Sequence, residues 1–292
     1  MWNQVIINIT ISFSLYLLVA FSFKTIYYST RFFDLSQSFF IIVGAYITYF
    51  AFNKVVFSLW LSIPLAILSG TGLILFINQL IYKPLLKRKI ESWQMLIASL
   101  GVYVVLQNIV SLICGDNTLS FRTWPVKEGN QLLGAYITDV QIITIVASLG
   151  LFVLSWLFLE RTTIGKEINA VSSNPELANL YGLSKDKAIV WSFVIGTGLA
   201  VCAGILIAAD TDMTPTMGFN WLLYGVVAMI IGGMGQMRYL LLGAFLLATA
   251  QHLAAYYLDS KWMNATVYII LIIFLYFKPY GFSGQLLKKA EI

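Results

Sequence analysis

AIVWSFVIGTGLAVCAGILIAA, residues 188–209, runs for 22 positions without a charged side chain. At about 1.5 Å of rise per residue, a helix of that length reaches about 33 Å, enough to cross a hydrocarbon core roughly 30 Å thick. Working outward with the same ruler, comparable stretches fall at 4–23, 35–53, 56–81, 94–114, 140–159, 221–237, 239–258 and 262–277, giving about nine spans. The composition agrees: 59% of the 292 residues are apolar and 11% charged, with a mean hydropathy of +0.83, far outside the range of a soluble domain. The expected fold class is all-α, a polytopic integral membrane protein of about eight or nine transmembrane helices forming a single domain over residues 1–292. The first twenty-odd residues lack a basic start and a small-residue cleavage site, so 4–23 reads as the first span and not as a leader. Segment 221–237 is short and carries Gly232, Gly233 and Gly235 at its end, which points to a broken or re-entrant helix. Pro64 alone among six prolines lies inside a span, where it should kink the helix.

The net charge of +5 follows from orientation. Lys and Arg collect on cytoplasmic loops, and with the N-terminus outside, 14 of the 18 fall there: Lys24, Arg31, Lys83, Lys87, Arg88, Lys89, Arg161, Lys166, Lys185, Lys187, Arg238, Lys278, Lys288 and Lys289. Lys54, Arg122, Lys127 and Lys261 remain outside, with loop 115–139 and the acidic stretch 210–220. No basic run interleaved with aromatics suggests nucleic acid. A single His and two Cys, Cys114 and Cys202, cannot build a Cys/His metal site or a disulfide framework. Gly196, Ala200, Gly204 and Ala208 recur every four residues on one face of span 188–209, the signature of close helix packing in lipid.

One long polar segment interrupts the spans: ERTTIGKEINAVSSNPELANLYGLSKDK, residues 160–187. At its centre Asn174 can cap, Pro175 suits the first helical position, Glu176 complements the dipole and Gly182 can terminate, which predicts an autonomous helix of two turns at most. It would present Leu177, Leu180 and Tyr181 on the cytoplasmic side, either as a docking surface or against the protein's own membrane face.

The run Arg161–Val171, followed by Asn174-Pro175-Glu176-Leu177-Ala178 and Leu180-Tyr181-Gly182, resembles the cytoplasmic loop of permeases from ABC importers for branched-chain amino acids. In that family the pattern is an Arg-Thr, a Gly followed by a basic residue, an Ala-Val, then Asn-Pro-Glu-x-Ala and a closing Gly-hydrophobic pair. Asp34-Leu35-Ser36-Gln37-Ser38-Phe39-Phe40 with Gly44-Ala45-Tyr46, and Ile231-Gly232-Gly233-Met234-Gly235 with Leu242-Gly243-Ala244-Phe245-Leu246, are similar to two further family stretches. The three blocks span about three quarters of the chain. Departures are Asp34 where the family usually has Asn, Ser38 for Gly, Glu167 for a small or apolar residue and Gln251 for a frequent acid.

The resemblance implies one transmembrane subunit of an importer for a small polar solute, with branched-chain amino acids first and urea or amides as alternatives, in the bacterial inner (plasma) membrane. It implies a second permease subunit, an extracytoplasmic solute-binding protein, and separate ATPase subunits that bind ATP-Mg. The chain has no Gly-x-x-x-x-Gly-Lys-Ser/Thr loop, so no enzyme activity or cofactor is expected on it. Asn174, Pro175, Glu176, Leu177, Ala178, Leu180, Tyr181 and Gly182 would form the coupling helix of the 160–187 loop. Polar residues in or near spans are candidates for the substrate path, since unpaired polar atoms in hydrocarbon are costly: Asp34, Ser36, Gln37, Gln107, Asn108, Gln251 and His252. For Gln107, Asn108 and Gln251 the plain alternative is an interhelical hydrogen bond, for His252 it is packing, and for Asp34 it is a cap on the second helix. The competing class is an ion-coupled secondary transporter acting without an ATPase, with Asp34 and His252 as coupling groups.

Overall fold

The computed structural model describes residues 2–55, 58–88, 90–120, 129–132, 134–233 and 235–284. Lys89, Arg122, Lys127, Met234, Lys288 and Lys289, singled out in the sequence, lie outside the described residues. Each of the nine expected spans falls on a helix. These are α1 (Trp2–Thr30), α2 (Gln37–Tyr49), α3 (Leu59–Ile77), α5 (Ser92–Cys114), α6 (Asp139–Arg161), α9 (Lys185–Thr211), α10 (Met217–Gly232), α11 (Met237–Tyr257) and α12 (Trp262–Phe277). A π-helical turn, Phe50–Lys54, continues α2, and another, Asn78–Tyr82, joins α3 to the short α4 (Lys83–Lys87). α3 runs on through Pro64. Six of these segments are long and apolar enough to cross a membrane, and α10 and α12 are shorter apolar helices.

Hydrogen bonds between distant segments sort the connections onto two faces. On one, Lys24 Nζ donates to Gly235 O at 2.8 Å, Lys83 pairs with Asp186 at 3.3 Å, and Phe282 N donates to Ile231 O at 2.9 Å. On the other, Gln4 exchanges two hydrogen bonds with the Tyr136 backbone and Leu119 exchanges two with Met213. The first face carries the lysine-rich connections and is therefore cytoplasmic. This settles 221–237: the helix lies over Met217–Gly232, about 24 Å long, with one end on each face, and it stops where Gly233 turns to φ 83°. The exterior connection also holds a small antiparallel hairpin that an all-α reading omits, β1 (Asn130–Leu132) with β2 (Ala135–Ile137).

α1 and α9 form the centre. α1 packs against α6, α9, α10 and α11, while α9 packs against α1, α2, α3 and α6. The small-residue stripe of α9 explains the closeness: Gly196, Ala200, Gly204 and Ala208 are all buried, and a Cβ on Gly204 would lie 1.9 Å from the carbonyl oxygen of Ile41 on α2. Only a glycine lets the two backbones approach so nearly. Both cysteines are free.

Candidate functional site

The cytoplasmic segment 160–187 folds into two helices where the sequence suggested one. α6 ends at Arg161, and Thr162 caps α7 (Thr163–Ser173) by accepting from Gly165 N at 3.1 Å. The chain reverses so tightly that a Cβ on Gly165 would sit 2.1 Å from Leu159 O, which accounts for the glycine there. α7 was missed because polar residues dominate it, yet Ile164, Ile168 and Val171 stand at i, i+4 and i+7 and face inward. With Ala178, Ala188 and Leu183 they build a small apolar cluster separate from the main core, fixing α7 and its successor to the start of α9.

That successor, α8 (Pro175–Leu180), has the punctuation expected of it. Asn174 Oδ1 accepts from Glu176 N and Leu177 N, both at 3.1 Å, and Pro175 holds the first position. At the other end Gly182 adopts φ 78° while Gly182 N and Leu183 N donate to Asn179 O and Ala178 O, each at 3.0 Å. Ala178 points inward at 5% exposure, and Leu177, Leu180 and Tyr181 point out at 52%, 82% and 84%. A six-residue helix is marginal alone; this one is held by both caps and the alanine, leaving three large apolar side chains in the cytoplasm. Just before it, Ser172 O accepts from Arg31 Nη2, tying α7 to the connection between α1 and α2. Arg31 itself sits at φ 62°.

That connection positions the first polar cluster. Asp34 Oδ1 accepts from Ser36 N at 3.0 Å, Ser36 Oγ at 2.6 Å and Tyr82 Oη at 2.8 Å, so the carboxylate pins the turn ahead of α2 to the end of the π-helical turn at Asn78–Tyr82. Its other oxygen is buried without a partner, and burial pushes the carboxyl above the ordinary carboxylate range against the pull of those hydrogen bonds. Ser99 Oγ accepts from Leu35 N at 3.0 Å, bringing α5 to the same turn. One turn on, buried Gln37 donates to Ser22 Oγ and, at 3.3 Å, to Gly196 O.

The remaining candidates lie elsewhere. Gln251 is buried and donates to Met263 O on α12 at 3.3 Å, and His252 Nε2 lies 2.8 Å from Ser12 Oγ on α1, so both make interhelical contacts in the exterior half. Tyr16, Trp221 and Tyr224 pack beside them in tilted and edge-on ring contacts, with Tyr224 Oη donating to Asn264 at 2.6 Å. Gln107 and Asn108 make no such bonds: Gln107 donates to Ser111 at 3.2 Å and Asn108 to Val104 O at 2.7 Å, both along α5 itself. Asn108 is exposed on a face with Gly101, Val105 and Leu112, although it stands mid-span. The candidate path residues thus form three groups and not one constellation. Sequence reasoning passed over Tyr82, Ser22 and Ser12; the two serines could have been flagged as hydroxyls within an apolar span, whereas Tyr82 sat unremarked at the edge of one. Among the described residues no three His, Cys, Asp or Glu side chains gather to hold a metal.

The model of the permease component of branched-chain amino acid transport systems matches residues 5–276. The chain belongs to that family. As a permease it is similar to LivH, a high-affinity branched-chain amino acid transport system permease protein of Escherichia coli, at 26% identity over 215 residues, 72% of this chain and 69% of the relative. It is similar to BraD of Pseudomonas aeruginosa, which carries the same description, at 26% identity over 97% of this chain and 95% of the relative. A shorter likeness, 29% over 87 residues, covers 30% of this chain and 27% of the ribose import permease RbsC of Haemophilus influenzae. No solved structure matches the chain. The permease is a multi-pass membrane subunit of an ABC importer in the inner membrane.

Proposed function

We propose that this permease carries branched-chain amino acids inward and is driven by a separate ATPase that docks on α8. The observation that carries the reading is α8 itself: a doubly capped helix, anchored by Ala178, that holds Leu177, Leu180 and Tyr181 out into the cytoplasm. An apolar knob so placed fits a groove on a partner protein, and ATP-Mg would be bound by that partner. Closure of the partner pair would move α7 and α8 together through their shared apolar cluster, and the Arg31–Ser172 bond would pass the motion to the turn that holds Asp34, Ser36 and Gln37. A solute-binding protein would deliver substrate to the exterior connections. Asn108, exposed at membrane depth on α5, supports a polar path or a second permease subunit along that face, because lipid offers its amide nothing.

The substitutions Glu176→Arg and Leu177→Asp test the reading, since both side chains are exposed and the fold does not depend on them. The double variant is expected to insert normally, leave substrate capture by the binding protein intact, and abolish both uptake and copurification of an ATPase. Normal uptake would remove the role given to α8, and uptake by the purified chain alone in ion-loaded liposomes would favour a secondary transporter.

A further inference from the structure

At the cytoplasmic edge, where the π-helical turn Asn78–Tyr82 meets the start of α9, lies a cavity of about 130 Å³. Its polar lining includes Asn78, Lys83, Lys87, Lys185 and Asp186, with Ile189 contributing an apolar wall. Asp186 is already paired with Lys83 at 3.3 Å, so Lys87 and Lys185 bring positive charge that this carboxylate does not answer. Asn78, 5% exposed, also lines the cavity. π-helical turns are frequent at functional sites, and this one carries Asn78 and Gln79 into the lining beside the lysines. The volume is several times that of a water molecule.

We infer that this cavity seats the phosphate of an anionic inner-leaflet phospholipid, held by Lys87, Lys185 and the Asn78 amide. Charge selects an anion, and the position selects its source. The cavity opens at the level where the cytoplasmic leaflet presents its headgroups, and Phe76 and Leu80, each 62% exposed on the adjoining helix, offer the acyl chains an apolar track. The lysine stems can lie along the same surface with their ammonium groups on the phosphate. A lipid seated there would brace α4 against α9 a few residues beyond α8.

The test reads lipid retention and so does not depend on the transport reading. The transporter is reconstituted in phosphatidylcholine vesicles containing phosphatidylglycerol, extracted, and weighed by native mass spectrometry. Wild type should retain phosphatidylglycerol over phosphatidylcholine, and the variant K87Q/K185Q, which keeps the Lys83–Asp186 pair, should hold it about thirtyfold less well, about fivefold for each lysine removed. Asn78→Leu leaves every charge in place and should also lower retention, separating a seated headgroup from general attraction to an anionic surface. Equal retention by wild type and either variant would overturn the site. Displacement of the lipid by an equal concentration of inorganic phosphate would overturn the lipid source, and loss of a copurifying ATPase with lipid retention unchanged would assign the lysines to a protein partner instead.

Discussion

Replacing Gly204 with alanine should separate helices that the rest of the sequence leaves untouched. The added Cβ would lie 1.9 Å from Ile41 O and 2.7 Å from its carbonyl carbon, whereas real Cβ contacts are essentially never under 3.0 Å. Moving from 1.9 to 3.0 Å asks α2 and α9 to part by about 1.1 Å. The contact is two-sided, for a Cβ on Gly44 of α2 would meet Val201 O of α9 at 2.1 Å, so neither helix can yield by sliding along the other. A gap of that size forfeits a quarter to a half of the dispersion energy of the lining atoms, and overpacking of a dense core costs about 1–3 kcal/mol. We expect the upper end, about 3 kcal/mol, seen as a fall of roughly 6–12 °C in thermal unfolding of the purified protein. Gly198→Ala, on the same helix, is the control: its Cβ meets nothing within 4 Å, and removing glycine from a helix should be neutral or stabilising by up to about 1 kcal/mol. Equal melting temperatures for the two variants would show that α2 and α9 do not cross in this way.

Asp34 gives a pH dependence whose sign is fixed by its burial. Because its carboxyl titrates above the ordinary range in the fold, the folded state binds more protons than the unfolded one, and stability falls as pH rises from about 4 through the folded value. Asp34→Asn should remove that slope, measured as melting temperature at pH 5 and pH 8 in wild type and variant; an identical slope in both would remove Asp34 as its source. Arg31→Gly keeps a residue at ease at φ 62° but deletes the bond to Ser172, and a hydrogen bond from a charged group is worth about 1.5–3 kcal/mol. The variant should insert and support ATP hydrolysis while uptake per ATP falls roughly tenfold, and wild-type coupling would show that the bond transmits nothing.

The spans were legible because a bilayer imposes a length on any apolar run, and that constraint acts residue by residue. α10 was misplaced by a few positions because Gly218 and Asn220 interrupt the apolar run at its start, while Gly218 is in fact pressed against Ser38 O. The caps of α8 were legible because capping is local chemistry between neighbours. What escaped was set by partners far away in sequence: Tyr82 gains its meaning only from Asp34, 48 residues earlier, and Ser12 only from His252. The π-helical turns carry no periodic signal, and the hairpin at residues 130–137 is too short to show alternation. For Gln107 and Asn108 the sequence raised interhelical bonds, and the fold instead turns their side chains along α5, leaving Asn108 uncovered within this chain.

Two halves of the chain use one design in opposite directions. α1 runs from the exterior to the cytoplasm and is followed by Arg31, φ 62°; α9 runs the other way and is followed by Asp212, φ 66°, and these are the only non-glycine residues with positive φ among those described. Each is followed by a short connection and a buried helix that packs on the other half's long helix, α2 on α9 and α10 on α1. The locks match as well: Gly44 and Gly204 fit α2 to α9, and Gly225 fits α10 to the backbone at Val19 and Ala20 of α1. Interlocked on both sides, these four helices form one closely packed unit, since interfaces this dense do not deform gradually. Outside these four, α5 and α6 are the long apolar helices least buried within the chain, over 11% and 22% of their apolar windows. α7 and α8 join α6 directly to α9. If α8 receives the ATPase as proposed, a pull on it would act where α6 meets the locked core at α9, the seam at which one group of helices can rock against the other.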